Sequence, residues 1–199
     1  MAAIPTREPK LSARFTDALV YTTELHARQR RKGTDVPYIA HLLGVAAIVL
    51  EDGGDEDEAI AALLHDAVED QGGLPTLAAI RERFGDTVAE IVIGCTDADT
   101  HPKPPWRWRK EQYIAHVRHA SPAVRRVSLA DKLHNARTIV HDQRQIGNAV
   151  FARFAGGIAG TIWYYRTLAQ IFLETNSGPN AAELDRVVTE MERLAADNV

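Results

Sequence analysis

One stretch limits what this chain can fold into more than any other: Ala61-Ala62-Leu63-Leu64-His65-Asp66-Ala67-Val68-Glu69-Asp70. An apolar run leads without a break into four titratable side chains. Read as a helix, it stacks residues i and i+4 on one face, so His65 lies over Glu69 and Asp66 over Asp70. Three carboxylates and an imidazole beside a buried run are costly to leave unpaired. A divalent cation compensates that charge most directly. The stretch is therefore expected to be the end of one buried helix, about 56–70, carrying the metal and catalytic groups of a hydrolase.

Helical periodicity recurs along the rest of the chain, and no alternating strand pattern appears. A first helix is expected over about 11–31, ending in the basic cluster Arg28 to Lys32, where cations suit the helix dipole and Gly33 suits a cap. A second runs from Ile39 to Leu50. The acidic run from Glu51 to Glu58 reads as a loop feeding a helix N-terminus. Gly72-Gly73 stops the central helix, Thr76 caps a short one to Arg83, and another covers about 86–97. Three prolines exclude a helix over 98–105. Helices then follow over 106–119, from Ser121-Pro122 to about His141, over 148–174, and over 181–196. The fold class is all-α, a single-domain helical bundle over 11–199 behind a flexible leader, 1–10.

The 199 residues suffice for one domain with a sizeable core. A net charge of -4 gives no basic excess to hold a nucleic acid, so an anionic ligand must meet a local patch. The single cysteine, Cys95, excludes an intramolecular disulfide and a cysteine-based zinc cluster. The start lacks the apolar core of a signal peptide, and no run approaches a membrane span. A cytoplasmic protein with no nucleic-acid or membrane partner is expected.

A hard cation bound by imidazole and carboxylate needs ligands beyond His65 and Asp66. His41 stands near the start of the preceding helix, which a hairpin would bring close. Asp131 stands in a second polar cluster inside an apolar helix, Leu129-Ala130-Asp131-Lys132-Leu133-His134-Asn135. Together they read H…HD…D.

That order resembles the signature of the HD hydrolase superfamily. The words Arg31-Lys32-Gly33…Pro37-Tyr38-Ile39-Ala40-His41, then the opening stretch, then Phe84-Gly85, then Leu129 to Asn135, resemble the hydrolase domain of the RelA/SpoT homologues over about residues 11–175. The length is similar to that of a stand-alone small alarmone hydrolase. The resemblance implies an HD-type bundle and one Mn²⁺ per subunit, held by His41, His65, Asp66 and Asp131. It implies that Glu69 and Asp70 orient and deprotonate the attacking water. Arg31 and Lys32 would bind phosphates, and Asn135 the ribose or a phosphate. The implied reaction removes the 3′-pyrophosphate of ppGpp or pppGpp, giving GDP or GTP. Where the family often has proline after the first histidine, this chain has Leu42; where it often has threonine after the acidic pair, this chain has Gln71. Neither change removes a ligand.

Other polar groups are read more plainly. Arg28 and Arg30 belong to solvent, and His26, His116, His119 and His141 receive no role. Trp163, Tyr164 and Tyr165 read as core, with Tyr165 the candidate for stacking on a base, and Lys103, with His101, Arg107, Arg109 and Lys110, reads either as closing over a diphosphate or as part of a solvated loop. The sequence leaves base preference open, so a ppApp hydrolase or an NADPH 2′-phosphatase would share the metal site. A nucleotide-sensing module without catalysis would lack a ligand or the acidic pair, and all six positions are present. An antitoxin of an alarmone synthetase would use the same chemistry. Oligomeric state is likewise open, with a homodimer among the options.

Overall fold

The structure is a computed structural model and describes residues 11–97, 102, 104–176 and 178–197. The expected leader lies outside these residues. Among the described residues ten α-helices follow in order: α1 Ala13–Leu25, α2 Ile39–Glu51, α3 Glu56–Leu64, α4 Ala67–Asp70, α5 Leu74–Phe84, α6 Asp86–Cys95, α7 Trp106–His119, α8 Pro122–Ile146, α9 Gly157–Asn176 and α10 Pro179–Asp197, with a 3-10 segment, Gly147–Arg153, before α9. Among the described residues the one β-type pairing is an isolated antiparallel bridge between Arg30 and Pro37. The all-α expectation holds. No described helix is long and apolar enough to cross a membrane.

The centre of the bundle is α3. Every residue from Ala59 to Leu64 is fully buried, as expected of a helix that is apolar all round. It packs on α1, α2, α6 and α8, and its alanines let those neighbours approach closely. Its start is a reciprocal capping box: Asp55 Oδ1 accepts from the Glu58 amide and Glu58 Oε2 from the Asp55 amide, both at 2.9 Å. Arg126 of α8 then donates to Glu58 Oε1 at 2.5 Å and to Asp52 at 3.1 Å. The acidic run thus fastens the α2–α3 loop to α8. One apolar core runs from Ala18 of α1 to Ala195 of α10.

Several boundaries differ from the sequence reading: α5 starts at Leu74 with Gly73, not Thr76, at its N-cap, α8 runs on to Ile146, and three further differences bear on the site. The central helix is broken: α3 ends at Leu64, and α4 restarts at Ala67 with Asp66 as its N-cap. The first helix stops at Leu25, so the basic cluster is not a helix end. It forms a tight turn closed by Arg31 N–H to Val36 O at 2.8 Å and Tyr38 N–H to Gln29 O at 3.0 Å, and Gly33, at φ +73°, is its left-handed residue. The expected helix over 148–174 is divided, because Phe154 is extended and Gly157 takes φ +58°.

Candidate metal and catalytic site

The site sits where α2, the α3–α4 break and α8 meet. His41 comes from the first turn of α2, His65 and Asp66 from the break, and Asp131 from the middle of α8. Ligand atoms of His41, His65 and Asp66 all lie within 4.8 Å of one another. Asp131 Oδ1 joins them, 3.3 Å from His41 Nε2 and 3.6 Å from His65 Nε2. Asp66 Oδ2 is 3.1 Å from His65 Nε2 and 3.6 Å from His41 Nε2. The break explains the pairing: within one regular helix the adjacent side chains 65 and 66 would diverge by about 100°.

Hydrogen bonds orient both imidazoles toward this point. His65 Nδ1–H donates to Ala62 O at 2.8 Å, which leaves the Nε2 lone pair facing inward. His41 Nδ1 lies 2.9 Å from Nδ1 of His134. Burial first, then the neighbouring His41 and Arg31, push His134 down to about 4, so it is a neutral acceptor here. With the shared proton on His41 Nδ1, the His41 Nε2 lone pair also faces inward. Both Nε2 atoms are buried with no hydrogen-bond partner among the described residues. Two orphaned imidazole nitrogens facing two carboxylates fit a divalent cation, and the ligand types suit a borderline-to-hard ion.

The carboxylates are held from behind. Tyr38 Oη donates to Asp66 Oδ2 at 2.5 Å; burial and Asp66 both raise the phenol, which keeps it a donor. Lys132 Nζ donates to Asp131 Oδ2 and Asn135 Nδ2 to Asp131 Oδ1, both at 2.5 Å. Burial resists ionising Asp131, but Lys132 and the two imidazoles hold its carboxyl well below the usual range. Burial likewise opposes the charge on His65, and the Asp66 and Asp131 carboxylates outweigh it, so its net shift is upward.

A cavity of about 500 Å³ opens beside this cluster. Glu69, Asp70, Arg31, Lys32, Asn135 and Tyr165 all line it, so these expected site residues share one space. His101 and Lys103 lie outside the described residues. Arg31 donates to Asn135 Oδ1 at 2.5 Å, which makes Asn135 a link between the basic turn and Asp131. Asp70 Oδ2 accepts from Gln29 Nε2 at 2.7 Å. Gln29 is fixed in turn by His26 Nδ1 at 2.6 Å and by Gln71 Nε2 at 2.5 Å. His26, read as having no role, is buried, stacked on Tyr38 at 5.4 Å, and part of the support for Asp70. Tyr165 is 7% exposed, as its core reading suggests, while the hydroxyl of its neighbour Tyr164 is buried without a partner.

His134, Tyr38, Gln29 and Lys132 are the supporting residues that sequence reasoning passed over. Each stands inside or beside a quoted word, but nothing in a linear pattern says which nitrogen or hydroxyl faces which carboxylate. Gly44 supplies a further constraint. A Cβ there would overlap the His134 ring. Gly44→Ala is therefore expected to displace His134, release His41 Nδ1 and weaken metal binding by about 10- to 100-fold, the usual cost of losing such a partner. Titration of the purified variant with metal checks this; wild-type affinity would show that His134 does not orient His41.

A bundle that brings imidazoles and carboxylates to one point, beside an acidic pair and a cationic rim, defines the class of the helical metal-dependent phosphohydrolases. The chain belongs to the HD domain family, whose model matches residues 18–159. It is 42% identical over 131 residues to the guanosine-3′,5′-bis(diphosphate) 3′-pyrophosphohydrolase MESH1 of Xenopus tropicalis, covering 64% of this chain and 70% of that one. The human protein of the same name is 38% identical with the same coverage. In structure it resembles a metazoan ortholog of SpoT described as hydrolysing ppGpp, with TM-score 0.71, 25% identity, and 94% and 97% of the two chains covered. A protein from Listeria monocytogenes EGD-e is similar at TM-score 0.62 and 33% identity, over 78% of this chain and 96% of that one.

Proposed function

We propose that this chain hydrolyses the 3′-pyrophosphate of guanosine alarmones, releasing pyrophosphate and GDP or GTP, with one Mn²⁺ held by His41, His65, Asp66 and Asp131. The observation that carries the reading is the pair of orphaned Nε2 atoms facing two carboxylates, beside a cavity lined by Glu69 and Asp70. The names borne by the MESH1 relatives, and the activity described for the SpoT ortholog, support the choice of substrate.

A cation in that site supplies a lowered pKa for water and polarises a phosphoryl oxygen. The chain's own residues do the rest. Glu69 and Asp70 take the proton of the attacking water, whose oxygen bonds to the phosphorus nearest the ribose. The bond from that phosphorus to the ribose 3′-oxygen breaks, and the oxygen leaves as a hydroxyl after taking up a proton. Gln29 holds one oxygen of Asp70 and so orients the carboxylate that acts as base. Tyr38 and Lys132 keep Asp66 and Asp131 in place and ionised. Arg31 and Lys32 meet phosphate charge at the rim, Arg31 through a planar fork suited to it.

The test is to incubate the purified protein and Mn²⁺ with ppGpp, ppApp and NADPH in parallel. GDP and pyrophosphate from ppGpp are expected as the fastest products. Phosphate from NADPH with ppGpp left intact would overturn the substrate assignment while keeping the metal site.

A further inference from the structure

We infer that Arg153, seated on Gly33, forms a binding subsite for the 5′-polyphosphate end of the nucleotide. The inference rests on the reading that the cavity takes the nucleotide by its 3′-diphosphate, and it adds a residue and a ligand group which that reading does not assign.

Arg153 reaches the cavity from the 3-10 segment, over 100 residues along the chain from the basic turn. Its stem crosses the backbone of Gly33 so closely that a Cβ there would stand 2.7 Å from both Arg153 Cδ and Nε. Gly33 therefore does two things. It takes the left-handed backbone that closes the turn behind Arg31 and Lys32, and it leaves the space in which the Arg153 side chain lies. The guanidinium is steadied by one bond, from NH1 to Asp142 Oδ2 at 2.5 Å. A guanidinium has five N–H donors, so this bond fixes the group without exhausting it.

The charge of the cavity is divided. Asp66 and Asp131 stand behind its inner end, and Glu69 and Asp70 line that end. Beyond that end the lining carries the cations Arg31, Lys32, Arg109, Lys110 and Arg153 against two carboxylates, Asp97 paired with Arg109 and Lys110, and Asp142 paired with Arg153, while the partners of Arg31 are the neutral Asn135 amide and the Tyr38 ring. Arg30 also lines the cavity, with its guanidinium paired to the exposed Asp35. A ligand with phosphate only at its inner end would leave the rim charge unmatched. A nucleotide with phosphates at both ends matches both, and a 5′-polyphosphate offers the oxygens that a guanidinium fork pairs with.

The experiment compares ppGpp with guanosine 3′-diphosphate, which lacks 5′ phosphates, in wild type, Arg153→Ala and Gly33→Ala. In Arg153→Ala, KM for ppGpp is expected to rise about 10- to 100-fold with kcat little changed, as for loss of a hydrogen bond to a charged group. KM for guanosine 3′-diphosphate is expected to stay put. Gly33→Ala should also raise KM for ppGpp, but it strains the turn that carries Arg31 and Lys32 as well as displacing Arg153 and so should affect guanosine 3′-diphosphate too, which leaves Arg153→Ala as the variant that carries the test. Equal changes with both substrates, or a lowered Tm with KM intact, would reduce Arg153 to a strut of the 3-10 segment and overturn the inference. A second readout does not depend on turnover: metal-free wild type should bind GDP more tightly than guanosine by calorimetry, and Arg153→Ala should lose most of that difference. If the GDP preference behaves so while ppGpp is not hydrolysed, the catalytic reading fails and the subsite stands. If ppGpp is hydrolysed but GDP preference is absent or survives in Arg153→Ala, the subsite fails alone.

Discussion

Asp66→Ala is expected to abolish hydrolysis, with kcat/KM falling by about 10³-fold or more, the scale of losing several kcal/mol of metal-centred stabilisation. Asp66 offers an oxygen within reach of both inward-facing imidazoles and stands at the helix break that brings residues 65 and 66 to one point. Its removal leaves a three-residue donor set and strands the Tyr38 hydroxyl, whose partner it is. Metal analysis of the purified variant should show bound Mn²⁺ well below that of wild type. The rise in Tm on adding Mn²⁺ should vanish with it, since a ligand stabilises only the state that binds it. The side chain of Asp66 is 21% exposed, so the metal-free variant should fold like metal-free wild type. In wild type, protons and the cation compete for the same nitrogens. His65 is shifted above its ordinary 6.5 without metal, so metal uptake should release protons and weaken as pH falls through that range. Full activity in Asp66→Ala with wild-type metal content would defeat the assignment of the centre.

The four side chains that the structure brings together, His41, His65, Asp66 and Asp131, were legible because they are written in local words. His65 and Asp66 follow an apolar run that has to be buried, and Asp131 sits among apolar residues of α8, so each announced a polar group kept inside for a purpose. What the words did not contain is the geometry between them. Periodicity continues across residues 56–70, and nothing in it marks the break at His65 and Asp66, which is imposed by tertiary packing. The basic cluster after Leu25 looked like a helix end because cations suit one, yet Arg30 pairs with Pro37 and Gly33 closes a turn. The support for the ligands was the least visible. His134 faces His41 across 93 residues of sequence, and Gln29 faces Asp70 across 41. Such pairs depend on where helices cross, and a linear pattern does not encode the crossing. Gln71, read as a departure from the family's usual threonine, bonds the Gln29 amide and so takes part in holding Asp70.

Changing Glu69→Gln and Asp70→Asn together is expected to lower kcat by about 10²- to 10⁴-fold, the range of a positioned general base, while bound metal and nucleotide affinity stay near wild type. The separation follows from position. His41 and His65 each stand within 3.6 Å of the Asp66 and Asp131 carboxylates, whereas Asp70 is bonded to Gln29. Glu69 and Asp70 line the cavity one helical turn on, in α4, with Asp70 exposed and Glu69 half-buried. Amide side chains keep the size and the hydrogen-bonding capacity of the carboxylates but cannot take a proton from water. In Asp70→Asn the side-chain carbonyl oxygen would still accept from Gln29 Nε2, so the α4 turn should hold its place. Metal analysis and calorimetry with ppGpp, set beside single-turnover rates, separate the outcomes. Loss of Mn²⁺ would place the acidic pair among the ligands, and an unchanged rate would mean that another group accepts the proton. Retention of both metal and nucleotide with turnover gone would assign the pair to the water, and the broken central helix would then divide the labour, with His65 and Asp66 turned to the cation and Glu69 and Asp70 to the nucleophile.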